Sequence, residues 1–422
     1  MRALVIGDGD TQRLLSAFAT VGAAIVALIL LTNWPTYNYL ILGGPPALLY
    51  YLLPGLVALV VAIADPPSTV RIFDERLLWW FAVYVISGLA WLLLSQDFID
   101  LANRQWRLRV LGCYFFSAIL LTATVAKRST LALAAVICLF IVSALNWFDV
   151  LFPLRIVPAH MPGANPGRGA GMFINANAAA ALVLMGTIGV LPHVPMRFRA
   201  AILLAAVVGI LPTFSRFGFI FVLLLIIITA STKLLDHKQR FMLLLTIPLL
   251  AAGGAFYHEY LLQSANANQN IMARLAWFET LGREVDFSAR ERAYVAQRAW
   301  SAFLESPLIG HGVGATLAKG QRVGTHNMYL LLMVEQGLIG LALYLSLIGL
   351  IGRRGWRLAR TASDTQGREI GLGMMLYACF LALYGFVSHN VLDEPHGMFI
   401  LAFVVAAARG AEPARYVSRG HA

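Results

Sequence analysis

Along most of this chain the apolar positions neither alternate nor form a one-sided stripe. They run together in blocks of about twenty residues, separated by short charged or Pro/Gly-rich breaks. A block of that length crosses the roughly 30 Å hydrocarbon core of a bilayer as an α-helix, and the two-residue alternation of a barrel strand is absent throughout. The pattern predicts an all-α polytopic membrane protein with about twelve transmembrane helices, near 13–32, 46–64, 77–95, 109–126, 130–148, 172–192, 199–213, 216–234, 241–257, 328–351, 370–390 and 396–409. The seventh and twelfth are short.

Three regions follow from this pattern: nine spans over 1–257, a loop of about 70 residues over 258–327, and three more spans with a short tail over 328–422. The loop has helical character of its own. Ser288 with Glu291 three residues later fits a capping box, and Ala293, Ala296, Trp300, Phe303 and Leu304 follow at helical spacing until Pro307 stops the run. Arg290, Tyr294, Gln297 and Arg298 fall off that stripe. The expected element is an amphipathic helix that either covers the bundle or turns a polar face toward a bound headgroup.

Composition removes the soluble alternatives. The chain is 59% hydrophobic and 13% charged with a mean hydropathy of +0.74, far outside the range of a soluble domain. Cys113, Cys138 and Cys379 all lie inside apolar blocks, which argues against a disulfide framework or a zinc cluster. The first apolar run is too long for a signal-peptide core and is expected to be retained as a span.

Charge sets the expected orientation. The net charge is +11, and with both termini cytoplasmic most basic residues, including the dense Arg353/Arg354/Arg357/Arg360 cluster, fall on the cytoplasmic side. The outer side is then left with Lys319 and a series of arginines, among them Arg168, Arg216, Arg290, Arg292 and Arg298. The planar fork of arginine suits bidentate phosphate recognition; snorkelling or pairing with lipid headgroups is the plainer use of such residues. Nucleic-acid binding is not expected.

The candidate reactive group is His326, where a glycine-rich cationic loop (310–325) meets one of the longest apolar blocks. An imidazole titrates near neutrality, and the positive end of a helix dipole favours its neutral, proton-accepting form. Its plainer role is structural hydrogen bonding. Arg216 opens an apolar block with no acid nearby in sequence, so it either pairs with a carboxylate on another helix or awaits an anionic ligand. Tyr384, Ser388, His389, Asp393, Glu394 and His396 crowd the end of the eleventh block and could orient His326 or hold a sugar. No pair shows the spacing of a helical metal motif, and no metal or cofactor is expected. Glu335 reads as structural, and the GHGVG segment (310–314) as a backbone device allowing close approach to a ligand.

Taken together, SRFG (215–218), FINANAAA from Phe173, Arg290, LESPLIGHGVG and THNMYLLLMVEQGLIG resemble the O-antigen ligase and polymerase superfamily of bacterial envelopes, most closely its ligases. The resemblance is concentrated between about 165 and 340. It implies a GT-C-like membrane glycosyltransferase of the bacterial inner membrane with a periplasmic active site. That enzyme moves a glycan from an undecaprenyl diphosphate donor to a sugar of the lipid A core acceptor. The essential histidine of the family falls on His326 and its two essential arginines on Arg216 and Arg290, with Arg168 and Arg292 as further placements. Asn327, His389, Asp393 and Tyr384 are candidate acceptor-binding or orienting residues. The short tail fits these ligases better than relatives that glycosylate proteins. A polymerase of the same superfamily and a transporter or flippase of lipid-linked sugars are the alternatives.

Overall fold

The computed structural model describes residues 8–158, 161, 167–232, 234–245, 272, 280, 287–318 and 324–412. Helices dominate, and no strand occurs among the described residues. The longer helices are α1 (Asp8–Leu31), α2 (Ala47–Ala64), α3 (Arg76–Trp91), α4 (Ile99–Val125), α5 (Arg128–Leu151), α6 (Ala176–Val190), α7 (Met196–Ile210), α8 (Arg216–Ser231), α9 (Phe287–Glu305), α10 (Met328–Thr361), α11 (Thr365–Tyr384) and α12 (Pro395–Ala411). Eight helices among the described residues, α1 to α7 and α10, are long and apolar enough to cross a bilayer. This is a multi-pass membrane protein.

The expected count of twelve is therefore met only in part. α8 and α12 are apolar but shorter, α11 carries Arg368 and Glu369 in its first turns, and the expected ninth span lies outside the described residues beyond 245. α10 runs ten residues past its expected end, so Arg353, Arg354, Arg357 and Arg360 stand on the helix.

At the centre is α6, whose sequence ANAAAALVLMGTIGV is small or apolar on every side and is buried throughout from Ala179 to Val190. A helix without a polar face belongs in the core, and small residues let neighbours approach closely. A methyl group at Gly186 would stand 2.7 Å from Leu139 on α5, and one at Gly189 would stand 2.9 Å from Ile400 on α12. α5, α7, α8, α11 and α12 all pack on α6.

One end of the bundle collects the N-termini of α6, α8, α9, α10 and α12 with the C-termini of α5 and α11. The other end is held by ion pairs, the Arg199–Glu369 pair buried. Arg199 on α7 forms two hydrogen bonds to the Glu369 carboxylate of α11, 2.8 and 2.6 Å long. Arg354 on α10 reaches Glu75 at 2.7 Å and Glu412 at 3.1 Å.

α10 is broken at Gly337, whose φ of +62° and ψ of −150° suit only glycine. The 307–314 loop fills the break. Leu338 N–H donates to Pro307 O (2.9 Å), His311 N–H to Val334 O (2.9 Å) and Gly312 N–H to Glu335 O (3.0 Å). The Glu335 carboxylate accepts from Gly314 N–H at 2.8 Å and from Arg109 of α4 at 2.7 Å. The GHGVG glycines thus bring backbone against backbone: a Cβ at Gly310 would lie 2.5 Å from the Glu335 carbonyl carbon, and one at Gly312 would strike Ser95. These contacts are with the protein itself, where the sequence suggested a ligand.

α9 differs from expectation in its register. It is described over Phe287–Glu305. The buried stripe is Val295, Ala299, Ala302 and Phe303, while Trp300 and Leu304 are exposed. The reason is packing: Ala299, Ala302 and Phe303 meet Met333 and Val334 of α10 and Ala315 in a small core of their own.

Candidate active site

His326 stands just before α10 with a φ of +49°, a left-handed conformation that is unusual for a residue bearing a Cβ. Its neighbours impose that geometry. Asn327 caps α10, its side-chain oxygen accepting from Leu330 N–H at 3.0 Å. Thr325 Oγ1 donates to Asn327 O at 2.9 Å. Met328 N–H donates to Gly385 O at 2.7 Å, and the Tyr329 hydroxyl to Ala382 O at 2.7 Å, which ties the start of α10 to the end of α11. Backbone strain of this kind costs about 1–3 kcal/mol and persists where the surroundings over-determine it.

The His326 ring meets His389 edge to face, with centroids 5.4 Å apart. Gly324 makes room for this pair, since a Cβ there would lie 2.5 Å from His389 Nε2. Burial, and after it the charge of Arg292, lowers the His326 pKa to about 4. Burial, and after it His326, lowers that of His389 to about 4. His389 Nδ1 is buried with no hydrogen-bond partner among the described residues.

A cavity of about 390 Å³ opens beside His326. Arg168, Arg216 and Arg292 line it from three separate elements, together with Asn177, Glu291, Tyr384, Ser388, His389 and Glu394. Arg168 is held rigidly: its Nε donates to Thr213 O at 2.9 Å and its Nη2 to Asn177 Oδ1 at 3.0 Å. The next residue, Gly169, donates its N–H to Pro212 O at 2.7 Å, fastening this segment to the turn between α7 and α8. Arg216 is the first residue of α8, following the Ser215 cap. Arg292 lies in the second turn of α9. Tyr384 stacks on Phe380 with centroids 5.1 Å apart and closes one side.

Four of the residues singled out from sequence are not among those lining the cavity. Arg290 is exposed; two residues along a helix is about 200° of rotation, so Arg290 and Arg292 face opposite ways. Asn327 is spent on the cap. Asp393 sits toward the Arg109–Glu335 pair, and burial raises its carboxyl pKa to about 7, opposed by Arg109 and reinforced by Glu335 and Glu394. His396 is buried on α12 with Nε2 2.9 Å from Glu394 Oε2. Conversely, sequence reasoning took Glu291 for half of a helix cap and met Asn177 only inside the FINANAAA motif. Neither has a spacing that marks it as a site residue. No group of three His, Cys, Asp or Glu side chains that could hold a metal occurs among the described residues.

One end of the bundle thus presents an unprotonated imidazole beside three guanidiniums and several hydroxyl and amide groups. That arrangement can bind a multiply charged anion and accept a proton next to it. Residues 200–345 match the Wzy_C family model, described as O-antigen ligase. This stretch, about a third of the chain, is similar to O-antigen ligases. The O-antigen ligase match takes in Arg216, Arg290, Arg292 and His326, while Arg168, which shares the cavity with three of them, precedes it. A comparison with curated proteins finds no match.

Proposed function

We propose that this protein is an O-antigen ligase of the bacterial inner membrane. It transfers a polysaccharide from undecaprenyl diphosphate to a sugar of the lipid A core, at the periplasmic end of the bundle. The observation that carries the reading is the convergence of Arg168, Arg216 and Arg292 with His326 on one cavity at one end of a multi-pass bundle, three of the four within a stretch matching the O-antigen ligase family.

The chemistry follows from the groups present. His326 accepts the proton of the acceptor hydroxyl as that oxygen bonds to the anomeric carbon of the donor sugar. The bond from the anomeric carbon to the phosphate oxygen breaks, and undecaprenyl diphosphate leaves with the electron pair. Direct displacement inverts the anomeric centre. The arginines meet the charge that develops on the diphosphate, each charge-assisted hydrogen bond contributing about 1.5–3 kcal/mol, so the step is written without a metal. Arg292 couples the two functions: alone it helps keep His326 unprotonated, and once its charge is offset by a bound diphosphate the imidazole becomes a stronger base.

The test is complementation of a ligase-deficient strain that still assembles its lipid-linked glycan. Wild type restores long-chain lipopolysaccharide, whereas His326→Ala and Arg216→Ala at matched expression do not. Carrier-linked chains that lengthen without reaching lipid A would instead identify a polymerase.

A further inference from the structure

α9 carries three stripes. Val295, Ala299, Ala302 and Phe303 are buried against the bundle, while Trp300 and Leu304, continued by Leu308 and Ile309, are large, apolar and exposed. Between these lies a polar sector. At 100° per residue, Tyr294, Gln297, Arg298, Ser301 and Glu305 fall within about 100° of one another. Over that sector opens a second cavity of about 320 Å³, separate from the one at His326. Its far wall is Ala315 and Thr316, presented by the glycine loop, and Val334 of α10.

The lining has a definite chemistry. Tyr294 is 60% exposed and offers an apolar ring face with a polar rim. The Arg298 guanidinium lies 5.8 Å from the centroid of that ring. Gln297, Ser301 and Thr316 add amide and hydroxyl groups that both donate and accept. Glu305 lines the cavity too and sets a carboxylate against that cation. A ring to stack on, paired donors and acceptors, and one group of each charge match the hydroxyl-rich surface of a sugar. The volume lies within the ~300–1,000 Å³ usual for small-ligand sites. An acyl chain would leave these polar groups unsatisfied.

Position supports the same ligand. The start of α9 presents Ala289, Glu291 and Arg292 to the cavity of His326. Six residues on, Arg298 lies only about 9 Å further along the helix axis. A glycan whose reacting unit is at His326 can run along α9 into the second cavity.

We propose that this groove is a saccharide subsite, holding an oligosaccharide segment next to the reacting sugar. The proposal rests on the glycosyl-transfer reading. The segment belongs either to the acceptor core or to the donor glycan.

The test uses the full chain in nanodiscs with Tyr294→Ala and Gln297→Ala, and with Tyr294→Phe, which keeps the ring. Two readouts are taken: the KM for each substrate, and calorimetric binding of core oligosaccharide freed of lipid A and of the free repeat-unit oligosaccharide. Each alanine variant is expected to raise one substrate's KM and weaken the matching oligosaccharide roughly tenfold, the scale of one lost contact of about 1.4 kcal/mol. kcat stays within about twofold, and Tyr294→Phe resembles wild type. A rise in acceptor KM assigns the groove to the core, and a rise in donor KM assigns it to the donor glycan. Unchanged KM values and unchanged oligosaccharide binding overturn the subsite and leave the ligase reading intact. If wild type transfers nothing, binding alone decides: an oligosaccharide held by wild type and lost by Tyr294→Ala retains the groove, and no binding by wild type removes it.

Discussion

In the proposed reaction His326 would owe its basicity to the residues that surround it. Its depressed pKa has two causes, burial and then Arg292, and both favour the unprotonated ring. The sign follows directly: the neutral imidazole is present above the pKa and is lost as the pH falls through it. For the free enzyme, kcat/KM for transfer should stay level from neutrality down past pH 6.5 and fall only near pH 4. Arg292→Ala removes one cause, so that limb should move upward; a limb unmoved in that variant would separate Arg292 from His326. Removing the base itself, as His326→Ala, should lower transfer by about 10²–10⁴-fold in a protein that still folds. Arg292→Ala should weaken donor use by about 10–100-fold, one to two charge-assisted hydrogen bonds, and should cost more than Arg290→Ala; steady-state donor KM and kcat distinguish the two. The positions of His326 and Arg216 were legible because polar groups at the edges of apolar blocks are conspicuous. Which of Arg290 and Arg292 lines the cavity was not, because it depends on the rotation of α9, and packing against α10 sets that rotation.

The active end depends on elements that are individually incomplete. α10 is broken at Gly337, and the loop that follows α9 supplies the missing hydrogen bonds, with Glu335 joining Arg109, Gly314 and the broken helix. This clamp fixes the end of α9, whose first turns carry Arg292. Glu335→Ala would leave the Arg109 cation buried without its carboxylate, at a cost of about 3–5 kcal/mol; thermal unfolding in detergent should show a markedly lower midpoint. Glu335→Gln retains an acceptor for Gly314 N–H and should lose less. The sequence revealed that GHGVG needs close approach, but it could not say what approaches, since the missing side chains fit a ligand or a backbone equally well. The use of Glu291 was hidden for a related reason: its spacing from Ser288 fits a cap, while its place on the cavity depends on the rotation of α9.

At the scale of the bundle, α6 is the axis on which the site is built. The block pattern located it, near 172–192, and most of the other helices, because bilayer thickness alone dictates block length; that it is buried on every side was not drawn from the sequence. Blocks say less about which helices qualify as spans: α11 carries Arg368 and Glu369 in its first turns, and Glu369 is accommodated by Arg199 across the bundle. Arg199→Ala should destabilise the protein by about 3–5 kcal/mol, whereas replacing both partners with apolar residues of similar volume should be close to neutral. Neither change touches the cavity at the opposite end, so specific activity of the folded fraction should be retained. The central claim is that this cavity joins a lipid-linked glycan to lipid A core through His326. Its most direct measurement is transfer in vitro, with purified full-length protein in nanodiscs, undecaprenyl diphosphate-linked glycan and lipid A core, comparing wild type with His326→Ala. The account predicts a ligated product for wild type and little for the variant, with donor binding retained in both. Equal ligation by His326→Ala would contradict it.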